Sequence, residues 1–140
     1  MWKDQICHMI EWLEDKGFSY VCETDEEDRV DFSSKTVFID SRIHPESRFY
    51  TLLHECGHID ILESQAEFAI DHPMYVHAYA YDGRIARSKK YKVSLVAEEI
   101  EAWKRGRRIA YDEQLFINDE KYDRSMTKYV MSYIDWVATK

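Results

Sequence analysis

Leu52-Leu53-His54-Glu55-Cys56-Gly57-His58-Ile59 is the most informative stretch of this 140-residue chain. It contains H-E-x-x-H set among aliphatic residues. On a helix, residues four apart share a face, so His54 and His58 aim two imidazoles at one point. Glu55 stands beside them, placed to reach a water rather than to be a ligand. Two nitrogen ligands, a general base and room for a third ligand and a water make the arrangement a zinc hydrolase needs. A shuffled chain of this composition would show the bare pattern roughly 0.025 times, so the flanking sequence has to carry the rest.

Working outward, Pro45 suits the first turn of a helix and Glu46 its positive N-terminal end. The helix should run from Pro45 past His58 to about Leu62, with Phe49, Leu52, Leu53, Cys56, Ile59 and Ile61 as its buried stripe. Gly57 inside it costs about 1 kcal/mol relative to alanine. A small residue there lets another backbone, or the open side of a metal, come close. Upstream, Thr36-Val37-Phe38-Ile39 is the clearest strand, β-branched and aromatic. Phe18–Cys22 and Val30–Phe32 read as shorter strands. The acidic run Glu23–Asp28 between them reads as a solvated hairpin tip rather than a cation or partner site. Residues 2–16 are helical by spacing (Trp2, Ile6, Met9, Ile10, Leu13), and Gly17 stops them.

Downstream, Ser64–Lys92 is the least legible part. Met74, Val76, Ala78 and Ala80 alternate with aromatic residues, which suggests extended chain. Arg84, Arg87, Lys89, Lys90 and Lys92 form a basic patch, read as a solvated face, with docking of an acidic substrate segment as the sharper alternative. Val93–Lys104 is helical, with Val93, Val96, Ala97, Ile100 and Trp103 on one side and Gly106 at its end. Ala110–Phe116 reads as a short helix. Asp119–Thr139 reads as a long amphipathic one, with Tyr122, Met126, Tyr129, Val130, Tyr133, Ile134 and Val137 inward. The fold class is therefore α+β: one mostly helical domain over residues 1–140, with a small antiparallel sheet packed on the H-E-x-x-H helix.

Two histidines leave a catalytic zinc site short of a third protein ligand. Two sources qualify: the acids Glu98, Glu99 and Glu101 on the Val93–Lys104 helix, and the loop pair His72 and His77. A rigid helix holds a ligand more reproducibly than a loop. Glu99, one turn before Trp103, falls nearest the buried side and is favoured, with Glu98 next. Glu101 is placed to pair with Arg105 at i,i+4. For the oxyanion of an acyl-transfer reaction the available donors are Tyr75, His77, Tyr79 and Tyr81. Asp60 and Asp71 are the acceptors that could orient the histidines' second nitrogens.

Taken together, the strand Thr36–Ile39, the H-E-C-G-H helix and Glu98-Glu99-Ile100-Glu101-Ala102-Trp103 resemble the ImmA/IrrE family of small zinc metallopeptidases, frequent in phages and mobile elements. The resemblance spans roughly Val37–Arg108 and is strong at the two motifs. It implies a zincin-like fold, Zn2+ as cofactor, His54, His58 and Glu99 as ligands, and Glu55 as the base that activates a zinc-bound water to hydrolyse a peptide bond in a protein substrate, such as a regulatory protein. Family members often carry Asn after the E-x-x-A alanine, where this chain has Trp103.

Composition limits the alternatives. A net charge of −8 argues against a nucleic-acid backbone or an anionic membrane as partner. No apolar run approaches the ~18 residues of a membrane span. Met1–Ile6 lacks the apolar core of a signal peptide, and the odd trio Cys7, Cys22 and Cys56 has no C-x-x-C. These features together point to reduced thiols in a cytoplasm. Two rival readings stand beside the peptidase. One is a zinc-binding regulatory or interaction protein of phage or mobile-element origin without proteolysis; the other is an acidic binding protein in which H-E-C-G-H is coincidental. Oligomeric state and substrate identity leave no trace in the sequence.

Overall fold

The structure, a computed structural model, describes residues 1–75 and 88–139. It is an α+β domain: α1 (Trp2–Asp15), β1 (Ser19–Glu23), β2 (Arg29–Asp31), β3 (Thr36–Asp40), α2 (Pro45–Glu63), α3 (Gln65–Asp71), α4 (Lys89–Asp112) and α5 (Asp119–Thr139). Among these residues no helix is long and apolar enough to cross a membrane.

The expected strands form, but the sheet is mixed rather than antiparallel. Its order is β1-β3-β2; β1 runs parallel to β3 while β2 pairs with β3 antiparallel. The most apolar strand takes the centre, where Val37 and Ile39 are fully buried. The acidic connection after β1 carries the chain past that slot to the far edge before it returns as β3. Asp28 ends the connection, its Oδ1 accepting the Asp40 backbone N–H at 2.8 Å. A meander would put consecutive strands side by side; burying Val37 and Ile39 between two neighbours outweighs that.

Helix α2 starts as expected at Pro45. His44 caps it, its Nδ1 accepting the Glu46 N–H at 3.2 Å. The six expected stripe residues, Phe49, Leu52, Leu53, Cys56, Ile59 and Ile61, are all buried. Against α2 lies α4, its most extensive helical neighbour. The expectation for α4 was too short at both ends. Ser88 is its N-cap, its Oγ accepting from the Tyr91 N–H at 3.1 Å, and Gly106 lies within the helix, not at its end. There is no separate helix over Ala110–Phe116: residues 110–112 complete α4, and the chain turns through Gln114 at φ 58°.

The reason Gly106 is helical is a crossing of two backbones. A Cβ on Gly106 would stand 2.5 Å from the Leu53 carbonyl oxygen, and one on Gly57 1.9 Å from that of Ala102. Each glycine thus seats the other helix's main chain, as the reading of Gly57 anticipated. The expected face of α4 is met in part: Trp103 is buried, and Val96 and Ile100 pack against the core. Its buried residues are Glu99, Ala102, Trp103, Gly106, Ile109 and Ala110, whereas Val93 is exposed. On α5, Tyr122 and Val130 are buried as expected, but Ile134 is exposed.

Between α2 and α4 the stretch expected to be hard to read contains α3. The alternation over residues 74–80 begins with Met74 in a turn and Tyr75, and from Val76 on it lies outside the described residues, as do Arg84 and Arg87 of the basic patch. Lys89 and Lys90 are exposed, while Lys92 is half-buried with its ammonium over the Trp136 ring at 5.3 Å.

Candidate metal centre

The α2–α4 crossing delivers three side chains to one point. His54 Nε2 lies 2.7 Å and His58 Nε2 3.1 Å from the same Glu99 oxygen, Oε2. The three residues present ligand atoms within 4.8 Å of one another, a His-His-Glu group that could hold a metal ion. Tetrahedral zinc, with bonds of about 2.0–2.1 Å, spaces its ligand atoms roughly 3.3 Å apart. The donor set therefore fits a small divalent cation once the side chains adjust to that spacing.

The rings are held from the side. The His54 imidazole stacks on the Trp103 indole at 4.5 Å and 12°, and meets the Tyr129 ring edge-on at 4.7 Å. Trp103 thus forms a wall beside His54. Its own Nε1 is buried without a hydrogen-bond partner. His54 and Glu55 are buried, and His58 keeps 15% of its side chain exposed, toward the cavity.

Charge in this cluster is strongly coupled. Burial pushes the His54 pKa down, but Glu55 and Glu99 beside it push it up further, so the net shift is upward. For His58 burial is again opposed, by Glu99, Glu98 and Glu55, and the pKa rises well above its ordinary value. Burial would raise Glu99; His58 and His54 outweigh it and hold the carboxyl well below the usual range.

The other sequence-nominated residues fall elsewhere. Glu98 is outside the cluster: its Oε1 lies 3.7 Å from His58 Nδ1, on the nitrogen turned away from Glu99. His72 stacks on Phe68 at 3.9 Å and its Nδ1 bonds the Phe68 carbonyl at 3.1 Å. Asp60 does not orient either histidine; it pairs with Arg105 at 3.1 Å and Arg108 at 2.9 Å. Asp71 lines a separate cleft with His72 and Arg105. Glu101 reaches Arg105 at 3.1 Å, as its spacing predicts. His54 Nδ1 has no hydrogen bond, with Glu55 Oε1 3.3 Å away. Of the nominated oxyanion donors, Tyr75 packs on Ile61, Phe68 and Ala102; His77, Tyr79 and Tyr81 lie outside the described residues. Cys56 is fully buried, and burial pushes its thiol pKa up, in keeping with its reading as packing.

A cavity of about 240 Å3 opens over the cluster, lined by Glu55, His58, Glu98 and Glu99 and closed by Tyr129 and Tyr133 of α5 and by Asp28 and Arg29. The two tyrosines were read only as core. Their one-turn spacing already placed them on one face, but no local signal ties that face to α2. Asp28 had been read as part of a solvated tip. No family profile matches the chain, and neither a curated protein nor a solved structure does.

Proposed function

We propose that this chain is a zinc-dependent metallopeptidase of the ImmA/IrrE type that cleaves a peptide bond in a protein substrate. The observation that carries the reading is the convergence of His54, His58 and Glu99 within 4.8 Å, with buried Glu55 adjoining them at the floor of an open cavity. His54, His58 and Glu99 would hold the ion. Bound there, zinc supplies a water whose pKa falls toward about 7 and polarises the scissile carbonyl.

The chain's own residues supply the remainder. Glu55 lines the cavity and takes a proton from the attacking water, then passes it to the leaving amine. A phenol on the cavity wall donates a hydrogen bond to the developing oxyanion. Tyr129 and Tyr133 are assigned this role from their place on the cavity wall; His77, Tyr79 and Tyr81, nominated from sequence, lie outside the described residues. Burial raises both phenol pKa values, which keeps them protonated and able to donate. Glu98 orients His58 from its far nitrogen.

A metal-binding regulatory protein without hydrolysis would have no use for a buried carboxylate on the cavity side of the ligands, and Glu55 favours the peptidase over it. Metal analysis of the purified protein tests the centre: about one zinc per chain is expected, and less than half an equivalent rejects it. Glu55→Gln tests the chemistry. It should retain zinc and lose cleavage by roughly 10²–10⁴-fold; undiminished cleavage would refute the assigned base.

A further inference from the structure

Asp28 stands where two cavities meet. It and Tyr129 line both the 240 Å3 cavity over the metal centre and a larger one of about 470 Å3 beside it. Ile43 and Trp103 give the larger cavity apolar walls. Asp28 itself is half-buried, and its Oδ1 is fixed by the Asp40 N–H.

Among the described residues no lysine or arginine forms an ion pair with Asp28. Its neighbour Arg29 pairs with Glu26 at 2.9 Å and lies over the Phe38 ring at 4.1 Å. Lys128, exposed on the rim of the larger cavity, is not within ion-pair distance. Burial raises the Asp28 pKa and the charges of Glu55 and Asp40 add to it; the Asp40 N–H and, more weakly, the charge of His54 oppose it, and the net shift is upward. Carboxylates withdrawn from water are ordinarily paired. This one is held partly desolvated, beside further carboxylates, with no ion pair to a lysine or arginine among the described residues. The smaller cavity adds Glu55, Glu98 and Glu99 against the Arg29 guanidinium and the His58 imidazole. A divalent cation on neutral histidines and the Arg29 guanidinium together offset three of these four carboxylates, Asp28 included, and leave one net negative charge in the cavity.

Resting on the metallopeptidase reading, we propose that Asp28 is a specificity-determining residue that receives the cationic head of a substrate lysine or arginine side chain. The methylene stem of that side chain lies in the larger cavity against Ile43 and Trp103, as long basic side chains do when their heads find a polar partner. A carboxylate accepts a guanidinium through two oxygens, and the intrachain bond described above engages Oδ1.

The test uses fluorophore-labelled peptide sets that differ at each position in turn by arginine, citrulline or glutamate. Cleavage is read on the zinc-loaded protein, and binding on Glu55→Gln. Arginine peptides should bind and be cleaved roughly 10- to 100-fold better than citrulline counterparts at one position, the gain of a hydrogen bond to a charged group. Asp28→Asn keeps an acceptor for the Asp40 N–H, and should collapse that ratio toward one. Asp28→Lys should reverse it in favour of glutamate. A wild-type protein that prefers no basic residue, an Asp28→Asn variant with an unchanged ratio, or failure of every peptide to bind overturns the proposal. Arginine-selective binding that depends on Asp28, without any cleavage, supports the site and overturns the peptidase reading instead.

Discussion

Gly57→Ala should damage both the fold and the metal centre, although alanine is the better helix former by about 1 kcal/mol. The added Cβ would stand 1.9 Å from the Ala102 carbonyl oxygen and 2.7 Å from its carbonyl carbon, where ordinary contact begins at 3.4 Å. The obstacle is main chain, so no rotamer relieves it. Helix α4 must retreat from α2 by about 1.5 Å at that point. Overpacking of this kind costs about 1–3 kcal/mol, and an unyielding neighbour places it at the upper end. After the gain in helix propensity, a net loss of about 2 kcal/mol remains, or roughly 6 °C or more in melting temperature for a chain of this length. Glu99 lies one turn before Ala102 on the retreating helix, and metal sites tolerate only about 0.2 Å of misplacement. Zinc affinity should therefore fall by at least about 10-fold. Gly106→Ala meets the Leu53 oxygen at 2.5 Å and the movable Tyr122 hydroxyl at 2.8 Å, so it should be the milder of the two. The assay is urea unfolding of the metal-free proteins with zinc titration of each against a chelator. A Gly57→Ala protein as stable as wild type, with unchanged zinc affinity, would refute the backbone-crossing account of how Glu99 reaches the histidines.

Further outcomes follow from the same geometry. Glu99→Ala should abolish stoichiometric zinc binding, whereas Glu98→Gln should retain one equivalent and weaken it by roughly 10-fold, as loss of a ligand-orienting group does; metal analysis after dialysis separates them, and the reverse order would make Glu98 the ligand. The metal-free cluster is stabilised by charge. The histidine pKa values are raised above 6.5 on folding and that of Glu99 is lowered below 4.5. The histidine contribution is thus complete below about pH 6.5 and lost as pH rises through the raised values, and the Glu99 contribution is present above about pH 4.5 and lost as pH falls. Zinc needs neutral imidazoles, so the rise in melting temperature on adding zinc should widen from pH 6 to pH 8; a rise that narrows contradicts the assignment. Tyr129→Phe and Tyr133→Phe should leave zinc stoichiometry unchanged. One of them should lower kcat by roughly 10²-fold with KM little altered; if neither does, the oxyanion donor lies elsewhere.

Much of the centre was legible because its determinants are local. His54 and His58 face one way by helical period, Pro45 and His44 start that helix, and its apolar stripe is continuous. The third ligand could be nominated because a helix one turn from Trp103 had to bury some face. Which face was a different matter. Hydrophobic spacing found buried Trp103 and the core-packed Val96 and Ile100 but also included exposed Val93, and it did not show that the buried side extends to Ala102 and Gly106, because that side is set by two glycines that allow the backbones to touch and by the cluster that offsets the cost of burying a carboxylate. The parallel pairing of β1 with β3, the arrival of Tyr129 and Tyr133 from residues far along the chain, and the lodging of Asp28 between two cavities are likewise long-range. The sequence by itself determined the H-E-x-x-H helix and the shared face of its two histidines, since both depend on residues within a turn or two of each other. Only the tertiary structure decided which glutamate joins the histidines and what surrounds them, since those depend on how closely separate helices approach.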